Sequence, residues 1–165
     1  MANAANAQML GCFMPFHRCF DNAIHIAAGP RLRAHFQTIM DLQGHDEETG
    51  SAKITRGYRL RSKFVLHTVG PIVPRGAAPN QNDHSALARG YTSCLNLAAE
   101  TGLVRSVAFC GISTGVFGFP KEPAARTAVA TMLEWLRQNA GKMDHVMFNA
   151  FDVVSTSHYL ELPRN

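Results

Sequence analysis

The run Lys63-Phe64-Val65-Leu66-His67-Thr68-Val69 carries aromatic and β-branched residues on both faces and is closed by Gly70-Pro71. Such a run predicts a central strand, buried on both sides. A strand of that kind needs one layer of structure above it and another below. With 165 residues the chain has enough material for this within one domain, expected to span residues 1–165, and too little for a second. Helical patterns provide the layers. Ala23, Ile24, Ala27 and Ala28, then Leu32, Phe36, Ile39 and Met40, recur at three- and four-residue spacing, with a break at Gly29-Pro30 because proline opposes a helix interior.

Further along, Leu87, Tyr91, Cys94, Leu95 and Ala98 mark a helix over Ser85–Thr101 with Gly102 as its cap. Ala125, Val129, Met132, Leu133 and Leu136 mark another, with Pro123 in its first turn. Ser106–Cys110 and His145–Phe151 read as strands, Ser155–Leu160 as a short last helix, and the polar stretches Gly44–Gly57 and Pro74–Asp83 as loops, the first with short extended pieces. Strands alternating with helices predict a layered α/β domain.

Apolar residues make up 46% of the chain and charged ones 17%, a balance that supports a packed core over a disordered chain. The net charge of +4 is spread from Arg18 to Arg164 without a dense run, so nucleic acid is not expected as a partner. The N-terminus lacks a charged and then apolar leader, and no span approaches transmembrane length, so no membrane association is expected. The expectation is a cytoplasmic protein with reduced thiols. Of the four cysteines, Cys94 falls on the apolar face of a helix, while Cys12 and Cys19 are left free for a metal.

Two stretches carry the candidate chemistry. Cys12, His17 and Cys19 form a C-x4-H-x-C group, and two thiolates with an imidazole suit Zn2+, which is normally four-coordinate. Three local ligands leave a fourth position open. The alternative is that these are small buried hydrophobes and a satisfied histidine, since the spacing is not the doubled C-x2-C of structural zinc sites. Around the group lie Asn3, Asn6, Asp21 and Asn22, amides and a carboxylate able to read hydroxyls. Asp21 also has the plainer reading of an N-cap for a helix starting at Asn22.

The second stretch, Gly111-Ile112-Ser113-Thr114-Gly115-Val116-Phe117-Gly118-Phe119-Pro120, follows a buried strand, where ligands of α/β folds usually bind. Glycines at 111, 115 and 118 let the backbone approach a ligand, and Ser113 and Thr114 add hydroxyls, as suits a phosphate. The stretch has neither the lysine of a P-loop nor a G-x-G-x-x-G fingerprint, and a plain glycine-solved connection is the competing reading.

Asn3-Ala4-Ala5-Asn6, Asp21-Asn22-Ala23-Ile24-His25 with Ala27-Ala28-Gly29-Pro30, His67-Thr68-Val69-Gly70-Pro71 and Gly111–Pro120 together, in this order over nearly the whole chain, resemble the macrodomain family. Where that family carries a glycine run before the aspartate, this chain has Gly11–Phe20, which resembles the zinc-containing microbial branch. The resemblance implies a three-layer α/β/α domain with a mixed central sheet and a chain that binds ADP-ribose. In the zinc branch it further implies a hydrolase, expected to be monomeric, that removes ADP-ribose from modified protein side chains.

On that resemblance Asn6 hydrogen-bonds the distal ribose, and Asp21 lies near the anomeric carbon and orients a water or acts as base. Asn3 and Asn22 add contacts. Gly111, Ser113, Thr114, Gly115, Val116, Phe117 and Gly118 surround the diphosphate, and Phe151 belongs to the adenine pocket. Cys12, His17 and Cys19 hold zinc, which positions the ribose. The family's strands before Asn-Ala-Ala-Asn, with the aspartate that reads adenine, are absent here, which implies an N-terminally truncated domain with an uncovered sheet edge. A reader that binds ADP-ribose without turnover is the alternative.

Overall fold

The structure is a computed structural model that describes residues 1–14 and 16–162. Pro15 of the Gly11–Phe20 stretch and Arg164 lie outside the described residues. The described residues form five strands and five helices, in the order β1 (Ala2–Ala5), α1 (Phe20–Ala28), α2 (Pro30–Gln43), β2 (Ala52–Arg56), β3 (Phe64–Val69), α3 (Gln81–Glu100), β4 (Ser106–Phe109), α4 (Lys121–Gln138), β5 (His145–Phe148) and α5 (Val153–Leu160). No helix among the described residues is long and apolar enough to cross a membrane.

The double-sided run becomes β3, the middle strand of a mixed sheet in the order β1-β3-β2. It pairs in parallel with β1, Asn3 opposite His67 and Ala5 opposite Val69, and antiparallel with β2. β4 and β5 form a parallel pair beside it, where the Cys110 thiol reaches to 4.0 Å from the Ala2 carbonyl. Side chains alternate along β3 with the period of two that a strand imposes. Val65 and Val69 pack with Ile24, Leu32 and Phe36 of α1 and α2, whereas Leu66 packs on the other face with Leu87, Tyr91 and Leu95 of α3. Helices on both faces of the strands make the three layers.

Several boundaries differ from the sequence reading. Asn-Ala-Ala-Asn lacks residues of high strand propensity, yet Ala2–Ala5 is itself a strand, because β3 offers its free edge for pairing. Residues 52–56, read as part of a loop, form β2 for the same reason. α3 begins at Gln81 inside the stretch read as loop, since Asn80 and Asp83 close a capping box there. The last strand ends at Phe148, three residues early. The Gly29-Pro30 break is as expected: Gly29, at φ +82°, ends α1 and Pro30 opens α2.

Candidate active site

β1 and β3 run parallel, so the chain leaves both strands at the same end of the sheet. At that end the chain leaves β1 at Asn6 and β3 at Gly70-Pro71, and the Gly111–Phe119 turn after β4 packs against the segment after β3. Gly70 is pressed so closely against Ser113 that a Cβ there would lie 2.0 Å from the serine Oγ.

Asp21, in the first turn of α1, is buried. It is not the helix cap. Cys19 is, its Sγ accepting the Asn22 N–H at 3.4 Å, because the helix starts at Phe20, before the expected Asn22. The Asp21 carboxylate accepts the Asn3 amide at 2.7 Å, and His25, one helical turn on, places Nε2 3.5 Å from it. That is ion-pair distance and too long for a good hydrogen bond. Both His25 ring nitrogens are buried without a hydrogen-bond partner.

Burial pushes the Asp21 carboxyl above its ordinary range, opposed by the Asn3 bond and by the charges of His25 and Arg33. Burial, helped by Arg33, pulls His25 below its own, against the pull of Asp21. A carboxyl and an imidazole, both disfavoured as ions and facing one another, form a pair suited to moving a proton. The sequence reading did not assign His25 a role, although its i+4 spacing from Asp21 was visible.

Asn3 is fully buried, behind Asp21, and its amide nitrogen serves the aspartate and His67 together. Its Oδ1 is buried without a partner, a cost of about 1–3 kcal/mol. The reverse amide orientation would set that oxygen against the carboxylate. Asn6 is half-buried and braces its own loop, donating to the Gly11 carbonyl at 3.2 Å and accepting from the Met9 N–H at 3.1 Å. Asn22 ties the loop to the helix through the His17 carbonyl at 3.3 Å.

The three metal candidates converge. One ligand atom from each of Cys12, His17 and Cys19 lies within 4.8 Å of the others, and the Cys12 thiol sits 3.1 Å from His17 Nδ1. All three residues are half-exposed. Two sulfurs and a nitrogen at this separation fit a thiophilic ion such as zinc. Cys19 is pushed above the ordinary thiol range chiefly by burial and by the neighbouring Cys12, with the Asn22 N–H opposing. Cys94 is fully buried in the core, as its helical spacing predicts.

The glycine-rich turn is built from its own backbone. Thr114 donates to the Gly111 carbonyl at 2.9 Å, the Phe119 N–H to the Ser113 carbonyl at 3.0 Å, and the Val73 N–H to the Phe117 carbonyl at 2.7 Å. Ser113 sits at φ +63°, buried, with an unpartnered hydroxyl. Among the described residues the N–H groups of Gly115, Val116 and Phe117 have no acceptor. Free backbone donors on a turn at a sheet end suit an anion. Val116 is exposed, and Phe151 is fully exposed beyond the end of β5.

The sequence profile of the Macro domain family matches residues 2–128. A protein-ADP-ribose hydrolase of Treponema medium is 50% identical over 162 residues, covering 98% of this chain and 60% of that protein. One of Staphylococcus aureus (strain COL) is 45% identical over 151 residues, covering 92% and 56%. The chain thus spans little more than half the length of these curated relatives. Among solved structures, the Oceanobacillus iheyensis macrodomain with ADP is 35% identical with a TM-score of 0.85, covering 97% of this chain and 80% of that one. The Trypanosoma brucei macrodomain in complex with ADP-ribose is 34% identical with a TM-score of 0.79, covering 96% and 60%.

Proposed function

The chain belongs to the macro domain family, and from that premise we propose that it is a hydrolase releasing ADP-ribose from modified protein side chains. One observation carries the reading. A buried carboxylate, aimed by a hydrogen bond, lies at the same sheet end as a turn in which, among the described residues, the Gly115, Val116 and Phe117 N–H groups have no acceptor. The turn from Gly111 to Gly118 takes the diphosphate, with the Gly115, Val116 and Phe117 N–H groups donating to its oxygens. Asn6 and Asp21 face the distal ribose, Asn22 flanks them, and Phe151 offers an open ring to the adenine. Asn3 belongs behind the ribose site, as a support for Asp21.

Release is a hydrolysis. Water adds to the anomeric carbon, the bond to the protein side chain breaks, and the leaving atom takes up a proton. As that bond breaks, positive charge gathers on the ribose, and the Asp21 carboxylate opposite it is stabilising. The carboxylate also accepts the proton of the water, a task helped by its raised affinity for protons. His25, beside it and disfavoured as a cation, does not keep that proton, which stays on the carboxyl until the leaving atom takes it up.

Cys12, His17 and Cys19 would hold a zinc ion, which when bound supplies a Lewis acid weakened by two thiolates and suited to positioning the ribose. On this reading the chain falls in the zinc-containing branch of the family.

The test is a time course of ADP-ribose release from an ADP-ribosylated protein, with and without a chelator. Release that the chelator slows is the expected result. Tight ADP-ribose binding without release would make the chain a reader, and the absence of both would remove the assignment.

A further inference from the structure

We propose that Asn3, His67 and Thr55 form a buried relay that positions the Asp21 carboxylate, with His67 held in its neutral Nε2–H tautomer. The inference rests on the hydrolase reading above, and it adds positioning residues that act through Asp21 without touching substrate themselves.

The relay crosses three strands. Asn3 on β1 stands opposite His67 on β3, and Thr55 on β2 reaches the far side of the same ring. The Asn3 amide nitrogen has two hydrogens. One goes to Asp21 Oδ1 at 2.7 Å, and the other points at His67 Nδ1 at 3.1 Å. An amide N–H requires an acceptor, so Nδ1 carries no hydrogen and the ring proton sits on Nε2. There it meets Thr55 Oγ1 at 2.9 Å.

Phe36 fixes the ring plane from α2, edge-on with centroids 4.5 Å apart at 84°. All three relay residues are buried, Asn3 and His67 completely. Burial also lowers the His67 pKa to about 3, so the ring stays neutral and remains an acceptor under ordinary conditions.

The placement of these polar groups argues for a task beyond holding the sheet together. The backbone ladder already joins β1 to β3 and β3 to β2. Apart from the buried His25, whose ring centroid lies 6.3 Å from that of His67, the face in question is apolar, lined by Val65, Val69, Leu32 and Phe36. Apolar side chains of the same shape would cost less there than a network with one unmet acceptor. The only member that reaches the sheet end where the site lies is Asp21, so the network's output is the orientation of that carboxylate.

The test uses the 165-residue chain and its His67→Phe, His67→Asn and Thr55→Val variants. Turnover of an ADP-ribosylated protein, the Kd for ADP-ribose, and the nitrogen–hydrogen correlation spectrum of the His67 ring are measured. His67→Phe is expected to lower kcat roughly 10- to 100-fold, with KM and the ADP-ribose Kd within about twofold of wild type. His67→Asn keeps an acceptor toward Asn3 and is expected to restore kcat to within about threefold. Thr55→Val is expected to give a smaller loss and a mixed-tautomer spectrum.

Unchanged kcat in His67→Phe overturns the relay, as does a joint loss of kcat and binding that His67→Asn does not rescue. If His67→Phe fails to fold, Thr55→Val decides: wild-type kcat with an unaltered ring spectrum overturns the proposal. A wild-type chain without turnover overturns the hydrolase reading instead, and a ring protonated on Nδ1 then overturns the relay independently.

Discussion

Two polar clusters stand a few residues apart in this chain and are built in opposite ways. Asn3, Asp21, His67 and Thr55 are buried, sit on three strands and a helix, and hydrogen-bond one another within 2.7 to 3.1 Å. Cys12, His17 and Cys19 are half-exposed, and two of them lie on an irregular loop beside the exposed Phe13, Met14 and Phe16. The first takes its geometry from regular backbone and cannot change without disturbing the core. The second lies on irregular, half-exposed backbone, which would let its geometry follow a bound ion. A fixed device therefore aims the carboxylate, while an adaptable one admits a ligand.

The strongest test of this contrast is Asp21→Asn. It keeps shape and the contact region with Asn3 but removes the charge and the proton acceptor. Turnover of an ADP-ribosylated protein is expected to fall about 10²- to 10⁴-fold, the usual contribution of a positioned base. ADP-ribose affinity, read by calorimetry, is expected to change much less. Equal losses in both would place Asp21 among the groups that merely hold the nucleotide.

Next in size is Gly118→Ala, which asks whether the glycine turn behaves like the buried cluster or like the loop. Gly118 sits at φ +74°, and a Cβ there would lie 2.4 Å from the Val73 carbonyl oxygen, a backbone atom that cannot swing aside. The turn is expected to shift, costing about 2–3 kcal/mol of stability and weakening ADP-ribose binding about tenfold or more. A denaturation curve and a titration check the two effects. Wild-type values in both would mean that the turn adapts as the loop does.

Legibility in the sequence follows the same divide. The Cys/His group was readable because its ligands sit within one short stretch, and spacing alone brought them together. The glycine turn was singled out for the same local reason, whereas Asp21 drew its expected role from the family resemblance. The relay was not, since His67 lies 64 residues from Asn3 and 12 from Thr55, and only strand pairing joins them. β1 escaped notice because alanine and asparagine have little strand propensity, and its existence is a gift of β3. The three layers were legible from β3 and the helical periodicities. The start of α3 was hidden by prolines and asparagines that read as loop although Asn80 caps a helix.

A pH series sharpens the buried side of the comparison. His67 has a folded pKa of about 3 against an ordinary 6.5. In the unfolded chain it binds a proton below about 6.5, and in the folded chain it resists doing so until about 3. Its contribution is therefore fully present above 6.5 and is lost as pH falls toward 3. Between pH 7 and 5 the loss is about 2 kcal/mol. His25, also lowered by burial, acts in the same direction, and Asp21, raised by burial, acts against both. Subtracting the urea-denaturation profile of His67→Asn from that of wild type isolates the His67 part. Parallel profiles would show that the ring titrates normally and is not sealed in the core.

The smallest effect on the fold is expected from Cys12→Ala in metal-free protein. Cys12 is half-exposed, its thiol interacts with His17 and Cys19, and the helix that follows is capped by Cys19 instead. Nothing in the core rests on it, so stability without metal is expected to stay within about 0.5 kcal/mol of wild type. With zinc added the two proteins are expected to part. Wild type should gain in Tm because the ion binds the folded chain, and Cys12→Ala, left with two ligands, should gain far less. Cys19→Ser, which keeps a cap acceptor for the Asn22 N–H while replacing the sulfur, is expected to behave the same way. A large loss of metal-free stability in either variant would mean that the loop is as rigidly built as the relay, and the contrast between the two clusters would be gone.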